Sequence, residues 1–254
     1  MTTRRLALIV AASHVIGCAE APGDAIRLAP STLPLGLVAH YSFDEASGAF
    51  ILDDSGNRRD AQMTGGTWLS DGRFGGALRF AVGEMASVPG FPKAASGFSV
   101  SAWVRLHTFV QTTDDDPGRW GTIVSTEQGL LGGWEVMIDR SQTTPAVNFA
   151  FWKGPDQGDF TGWTIANVPL GEWTHVGAVV DKNAQLFEFY VNGVERGRST
   201  TTSGILPGSE TLTMGQYPAG GRSLDGDVDE IAIWNRALAA AEMEFLYQHP
   251  LPPL

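Results

Sequence analysis

The sequence predicts an all-β protein, folded as a two-sheet antiparallel sandwich with one short C-terminal helix. From residue 37 onward, short apolar runs alternate with turn clusters, and no regular helix-length segments separate them as in parallel α/β proteins. The 31 glycines and 8 tryptophans are typical of short connections between strands that pack broad apolar faces. A chain of 254 residues is an allowed size for one large β domain.

Residues 1–17 are typical of a lipoprotein signal peptide. Arg4 and Arg5 precede an apolar run that is too short to span a bilayer permanently. The residues from Val15 to Cys18 resemble a bacterial lipobox, in which the cysteine carries acyl chains such as palmitate. We therefore predict an exported protein, anchored through lipid on Cys18 at the bacterial outer membrane or cell surface. Secretion after cleavage near residue 21 is the alternative.

The rest of the chain divides into a tether, a domain and a tail. Residues 18–36 are rich in proline, alanine and serine and predict a flexible tether. The domain is expected over residues 37–248 and the tail over 249–254. Residues 98–106 show the clearest strand pattern, because every second residue from Phe98 to Leu106 is apolar. Similar runs predict strands at 37–43, 77–80, 86–89, 122–126, 134–138, 147–152, 163–168, 172–181, 186–191, 194–199, 212–217 and 228–234.

Two local signals refine this pattern. Asn192-Gly193 between two apolar runs predicts a type I′ hairpin turn. Residues 238–248 are expected to form the one helix, because three consecutive alanines there favour helix and apolar residues recur at helical spacing.

Charge and cysteine content exclude several classes of function. The chain has 28 acidic and 17 basic residues, a formal net charge of −11, so no broad basic surface for nucleic acid is expected. The single cysteine excludes an intrachain disulfide. The sequence contains no phosphate-binding, dinucleotide-binding or nucleophile-elbow motif.

Six blocks of the domain follow one another in an order that points to a known family. They are residues 37–45 (LVAHYSFDE) with 54–57 (DSGN), 75–80 (GGALRF), 98–104 (FSVSAWV), 171–176 (GEWTHV), 190–193 (YVNG) and 224–238 (LDGDVDEIAIWNRAL). Together they resemble the laminin-G-like jelly roll of the concanavalin A-like lectin/glucanase superfamily. The resemblance implies a jelly-roll fold and, in many members, a bound calcium ion. It leaves the function open, because the fold hosts lectins, adhesion modules and glycosidases.

A calcium site is the first candidate. Asp44 ends the first strand, Asp54 lies in the loop that follows, and Asp229 lies in the last strand. In a jelly roll of this type the first and last strands are neighbours, so Asp44 and Asp229 are expected to meet. Calcium takes six to eight oxygen ligands, which carboxylates and loop carbonyls can supply. In the competing interpretation, Asp229 caps a turn and the other two are solvated.

A carboxylate pair for glycoside hydrolysis is the second candidate. Asp225, Asp227 and Asp229 alternate, which places them on one face of a strand about 6–7 Å apart. Retaining hydrolysis needs carboxyl groups about 5–5.5 Å apart. These acids coincide with the closing structural block, so catalysis is the less favoured interpretation.

A ligand-binding set of tryptophans is the third candidate. Trp120, Trp134, Trp152 and Trp163 lie outside the family blocks, and Trp120 and Trp163 follow polar, glycine-containing segments that indicate exposed loops. Flat indole rings with a polar edge stack well on sugars. The alternative is that these rings fill gaps under long loops.

We therefore predict a non-catalytic cell-surface module that binds a glycan or an extracellular protein, with calcium as a structural cofactor and no nucleic-acid partner. A purely structural or adhesion domain without a small ligand is one alternative, and a polysaccharide-active glycosidase is the other.

Overall fold

The computed structural model describes residues 30–93, 97–110, 119–127, 132–152, 160–166 (backbone only), 168–200, 208 and 210–252. The strands in this part of the chain are β1 (Leu37–Tyr41), β2 (Phe50–Ile51), β3 (Ala61–Met63), β4 (Thr67–Leu69), β5 (Ala77–Phe80), β6 (Ala86–Pro89), β7 (Gly97–Leu106), β8 (Trp120–Ser125), β9 (Trp134–Asp139), β10 (Ala146–Trp152), β11 (Phe160–Ala166), β12 (Thr174–Asp181), β13 (Leu186–Val191), β14 (Val194–Thr200), β15 (Thr211–Met214) and β16 (Gly226–Trp234). They are followed by the helix α1 (Ala240–Gln248).

The described strands form two eight-stranded sheets. Sheet A has the order β14-β13-β12-β7-β16-β5-β4, with β1 also paired to β16, and sheet B has the order β11-β10-β9-β8-β15-β6-β3-β2. The first and last strands are therefore neighbours, as expected, with Tyr41 opposite Ile231. The predicted two-sheet antiparallel sandwich is confirmed.

The alternating residues of the strands build the core between the sheets. In β7, the apolar residues from Phe98 to Leu106 are at most 2% exposed and belong to one cluster with the apolar residues of sheet B. Phe98 stacks on Trp134 of β9, with ring centroids 5.0 Å apart. The burial of apolar surface in this core is the main contribution to the free energy that favours folding.

The helix covers part of the outer face of sheet A. Met243, Phe245 and Leu246 pack against Trp234 of β16 in a second apolar cluster. The backbone N–H of Ala239 donates to the Glu242 carboxylate at 2.8 Å, which satisfies one of the free amides at the start of the helix. The predicted helix is confirmed, although it begins at residue 240 instead of 238.

The structure differs from the predicted elements in the bounds of several strands, such as β11 and β15, in three short strands that were not predicted, and at the two ends of the domain. The strands β2, β3 and β4 were not predicted, because two or three mixed residues show no period. Leu33, in the segment assigned to the tether, is 1% exposed, and its carbonyl accepts the Trp234 indole N–H at 2.8 Å. Leu251 of the predicted tail is 4% exposed, and its N–H donates to Glu230 at 3.1 Å.

Most of the N-terminal predictions concern residues that the structure does not describe. The signal peptide 1–17, Cys18 and the tether up to residue 29 lie outside the described residues. None of the described residues forms a helix with the length and apolar character needed to span a bilayer.

Candidate functional site

The four tryptophans predicted to bind ligand lie on neighbouring strands of sheet B. Trp120 begins β8, Trp134 begins β9, Trp152 ends β10, and the backbone of Trp163 lies inside β11. The predicted strand at 163–168 correctly includes Trp163, which lies opposite Phe149, whereas Trp120, placed just before the predicted strand 122–126, already belongs to the ladder opposite Asp139. The side chain of Trp163 lies outside the described residues.

The three described indoles differ in exposure. Trp120 is half-buried, and the Arg119 guanidinium lies 4.2 Å from its ring centroid in a cation–π contact. Trp152 is 9% exposed and Trp134 only 2%. Of these three, Trp120 offers the most surface to a partner on the outside of the sheet.

Trp134 instead borders a cavity at one end of the sandwich. The cavity has a volume of 340 Å³ and is lined by residues of β1, β7, β9 and β16 and of the segments after β2, β6 and β16. Its lining combines four aromatic rings, apolar side chains and four polar side chains: Leu37, Val38, Asn57, Arg59, Phe91, Pro92, Lys93, Phe98, Trp134, Ile233, Trp234 and Asn235.

The polar rim is fixed by hydrogen bonds to β1. Asn57 Nδ2 donates to the carbonyls of Leu37 and Val38 at 3.0 and 3.1 Å, and Arg59 Nη1 donates to the Val38 carbonyl at 2.7 Å. Because β1 pairs only with β16 in the described part of the chain, these side chains satisfy carbonyls that no second strand reaches. The carboxamide and the guanidinium are thereby held at the cavity mouth.

This arrangement suits a ligand with an apolar face and several polar groups. The four aromatic residues are at most 3% exposed and offer almost no surface to a ligand, whereas Val38 and Pro92 supply accessible apolar surface and Asn57, Lys93 and Asn235 are exposed at the rim. Cavities of about 300–1,000 Å³ with a few convergent polar groups are the usual binding sites for small ligands.

Two of the predicted metal ligands hold one glycine-rich loop between β4 and β5. The N–H groups of Arg73 and Phe74 donate to Asp229 Oδ2 at 2.7 and 2.9 Å, and Gly76 N–H donates to Asp44 Oδ1 at 2.6 Å. Asp44 and Asp229 thus approach the same loop, in agreement with the expected adjacency of the first and last strands.

The fit to calcium is partial. Asp229 Oδ1 is buried without a hydrogen-bond partner in the described part of the chain, and burial raises the pKa of Asp229 to about 8. A cation bound beside this oxygen would offset the cost of burying the ionised carboxylate. Asp54 instead accepts the Ser42 hydroxyl at 2.6 Å. Within the described residues, no group of three or more His, Cys, Asp or Glu side chains converges as a metal site. Asp229 Oδ1 fits as one ligand, and the described contacts do not place an oxygen of Asp44 beside it. Calcium binding stays a prediction.

The carboxylates considered for hydrolysis are held by other groups. Asp227 is buried on the outer face of sheet A and accepts hydrogen bonds from Arg79 Nε at 2.8 Å, Arg105 Nε at 2.8 Å and His107 Nε2 at 2.9 Å. Asp229 accepts the two loop amides described above. Neither geometry leaves an acid and a nucleophile facing one open cleft.

Sequence reasoning missed a buried pair of acids on sheet B. Glu135 of β9 and Glu127, which follows β8, are at most 3% exposed, and both contact Arg222. The Thr122 hydroxyl donates to Glu135 as well. Alternation along β9 indicates that Glu135 points away from the core. Its burial therefore means that the outer face of the sheet is covered at this position, and no local sequence pattern reveals such a cover.

The comparisons with known proteins agree with this architecture. The binding domain of Paraclostridial Mosquitocidal Protein 1 superposes with a TM-score of 0.65 at 17% identity, covering 84% of this chain and 52% of that chain. The binding domain of botulinum neurotoxin serotype G gives 0.61 at 16% identity, covering 84% and 50%. This chain thus spans about half the length of these toxin domains. Comparison with curated proteins gave no match.

A third solved structure is matched over nearly its whole length. Domain 4 of AbnA, an extracellular arabinanase from Geobacillus stearothermophilus solved in complex with arabinotriose, gives a TM-score of 0.61 at 22% identity, with 84% of this chain and 98% of that chain covered. At such identities the likeness establishes the fold. The family model described as the concanavalin A-like lectin/glucanases superfamily matches residues 81–244, which is more than half of the 254 residues. The chain therefore belongs to the laminin-G-type family of the concanavalin A-like lectin/glucanase superfamily.

Proposed function

We propose that this protein is a non-catalytic binding module that acts outside the cell and recognises a glycan. The cavity at the end of the sandwich carries the proposal, since it joins an apolar lining to a fixed carboxamide and guanidinium. The fold neighbours support it, because two are named as binding domains and a third was solved with arabinotriose.

A sugar ring has an apolar face and polar hydroxyls, and the cavity lining has apolar and polar side chains that complement them. The apolar C–H face of a pyranose can pack on the accessible apolar surface of Val38 and Pro92, and its hydroxyls pair with amide and guanidinium groups. The side chains of Asn57 and Arg59 are anchored to β1 before any ligand arrives, so less conformational entropy is lost on binding.

A glycan array tests this proposal. The purified chain is applied with calcium and again with chelator, next to an Asn57→Ala variant and a Trp120→Ala variant. Selective glycan binding that is lost in Asn57→Ala and kept in Trp120→Ala supports the cavity. The reverse pattern would move the site to the outer face of sheet B. A blank array, with an extracellular protein captured instead, would overturn the glycan proposal.

The cellular location is proposed on the sequence alone. We propose export and lipid attachment at Cys18, supported by the lipobox-like residues before it. Metabolic labelling with a fatty-acid analogue should mark the wild-type protein and leave Cys18→Ser unlabelled. Labelling of neither protein would favour secretion after residue 21.

A further inference from the structure

We infer that the cavity binds an acidic saccharide, whose anionic substituent lies between Arg59 and Lys93; this inference rests on the glycan proposal above. The described residues that line the cavity include these two cations and no aspartate or glutamate. The whole chain has the opposite balance, with a net charge of −11. A cationic mouth on an acidic protein attracts an anion locally.

Hydrogen bonds fix both the backbone and the side chain of Arg59. Its backbone N–H donates to Asp53 Oδ2 at 3.0 Å, and its carbonyl accepts the Tyr41 hydroxyl at 2.8 Å. Its Nη1 donates to the Val38 carbonyl at 2.7 Å. A guanidinium has five N–H donors in a planar fork, so one bond to β1 orients the group and leaves donors for a carboxylate or sulfate.

The nearest acids leave this charge available. Asp53 accepts three backbone amides, from His40, Ser55 and Arg59, and does not line the cavity. Lys93 pairs with Glu210 at 3.3 Å, but the two side chains are 43% and 73% exposed. Ion pairs so exposed to water contribute little, so a ligand anion can take the place of Glu210.

The size of the cavity argues against a bare inorganic anion as the best occupant. Its volume of 340 Å³ is far larger than a phosphate or sulfate ion needs. Val38 and Pro92 add accessible apolar surface to the lining, which is complementary to the apolar face of a sugar ring. A sugar with a carboxylate or a sulfate ester satisfies both this apolar surface and the two cations.

Isothermal titration calorimetry with oligogalacturonate and its methyl ester tests the inference, because the ester has the same shape without the charge. We expect the acid to bind about tenfold or more tightly than the ester, as for hydrogen bonds to charged groups. The difference should shrink between 20 and 300 mM salt. A sulfated oligosaccharide that binds as tightly as the uronate would support an acidic saccharide recognised by charge.

Two variants and a matched control separate the site from the fold. Arg59→Gln and Lys93→Gln should each lower the preference for the acid, whereas Arg58→Gln, at the exposed neighbouring position, should not. Lys93→Gln keeps the test valid if Arg59→Gln unfolds. Equal binding of acid and ester would overturn the inference and leave the glycan proposal standing. Binding of no saccharide, neutral or acidic, would overturn both.

Discussion

Glu127 and Glu135 both contact Nη1 of Arg222, at 3.4 and 2.7 Å, on the covered outer face of sheet B. The two carboxyl groups are buried and share one guanidinium that is itself 30% exposed, so both acids cannot be ionised without cost. Burial raises the pKa of Glu135; Arg222 opposes this effect and the charge of Glu127 adds to it. We therefore take Glu135 to be protonated in the native state at neutral pH.

This proton makes stability fall as pH rises. In the unfolded chain Glu135 ionises near its ordinary pKa of 4.5, whereas in the native state it keeps its proton to higher pH. The unfolded state is therefore favoured progressively above about pH 4.5, by at most about 1.4 kcal/mol per pH unit. We expect Glu135→Gln, which stays neutral, to gain stability relative to wild type from pH 5 to pH 8.

Urea unfolding at several pH values measures this difference. Glu172→Gln serves as the control, because Glu172 is exposed. If the Glu135→Gln and wild-type curves run parallel across the range, the native-state proton on Glu135 is excluded.

Asp227 has the opposite pH dependence. Burial alone raises its pKa, but hydrogen bonds from Arg79, His107 and Arg105 outweigh that effect and hold the pKa below its ordinary value of 3.8. Its stabilisation is therefore present above pH 3.8 and is lost as pH falls through the native-state pKa. Asp227→Asn should destabilise the protein at pH 7 by at most about 3 kcal/mol. The loss is limited because Arg79, one of the partners of Asp227, is 43% exposed and its charge is screened by water.

The measurement is chemical unfolding of Asp227→Asn and wild type at pH 7 and in acid. The two free energies of unfolding should converge in acid. A constant difference at all pH values would show that the loss comes from packing and not from charge.

Calcium should stabilise the protein through Asp229. At a concentration 100 times its dissociation constant, a ligand specific for the native state adds about 2.7 kcal/mol, or about 5–10 °C in melting temperature for a domain of this size. Differential scanning fluorimetry with calcium or chelator should show this shift in wild type and in Glu172→Gln, but not in Asp229→Ala. An equal loss of melting temperature in Asp229→Ala with and without calcium would remove the proposed role.

The segment before β1 should contribute to stability. Leu33 is buried, Trp234 Nε1 donates to its carbonyl at 2.8 Å, and the Thr32 hydroxyl donates to Glu242 at 2.6 Å. A chain that begins at residue 37 should be less stable than one that begins at residue 30. The expected loss is about 2–4 kcal/mol, from roughly one buried leucine and an unpaired indole N–H.

Thermal unfolding of the two chains decides this point. The variant Leu33→Ala in the longer chain should show an intermediate loss. Identical melting temperatures for all three would assign residues 30–36 to the tether, as their composition indicates.

The strands of the sandwich could be predicted wherever burial of one face imposes a period of two. Residues 98–106 and 228–234 are such cases, and both lie in the centre of sheet A. The bulge at Glu230, with φ of 49°, shifts this pattern inside β16 without erasing it. The type I′ turn was also predictable, because Asn192 and Gly193 adopt positive φ angles of 51° and 74° that few other pairs accept.

The candidate site could not be predicted in the same way. The cavity joins Leu37 to Asn235 through elements far apart in the sequence, and no local period connects them. Trp134 was predicted to bind ligand; its ring stacks on Phe98 and is 2% exposed, and no local pattern showed that it borders a cavity. The burial of Glu135 could not be read from the sequence either, because the covering of the outer face depends on tertiary structure.

The strand β1 is at once a wall of the cavity and the first strand of the domain. Leu37 and Val38 line the cavity, and Gly36, with φ of 72°, bends the chain immediately before them. A bead or surface fused directly ahead of residue 30 is therefore close to the cavity mouth, whereas the tether predicted from residue 18 would add distance for an anchor on Cys18. Affinities measured on protein immobilised directly at residue 30 are expected to fall through crowding, and attachment at the opposite end of the sandwich should report the unobstructed value.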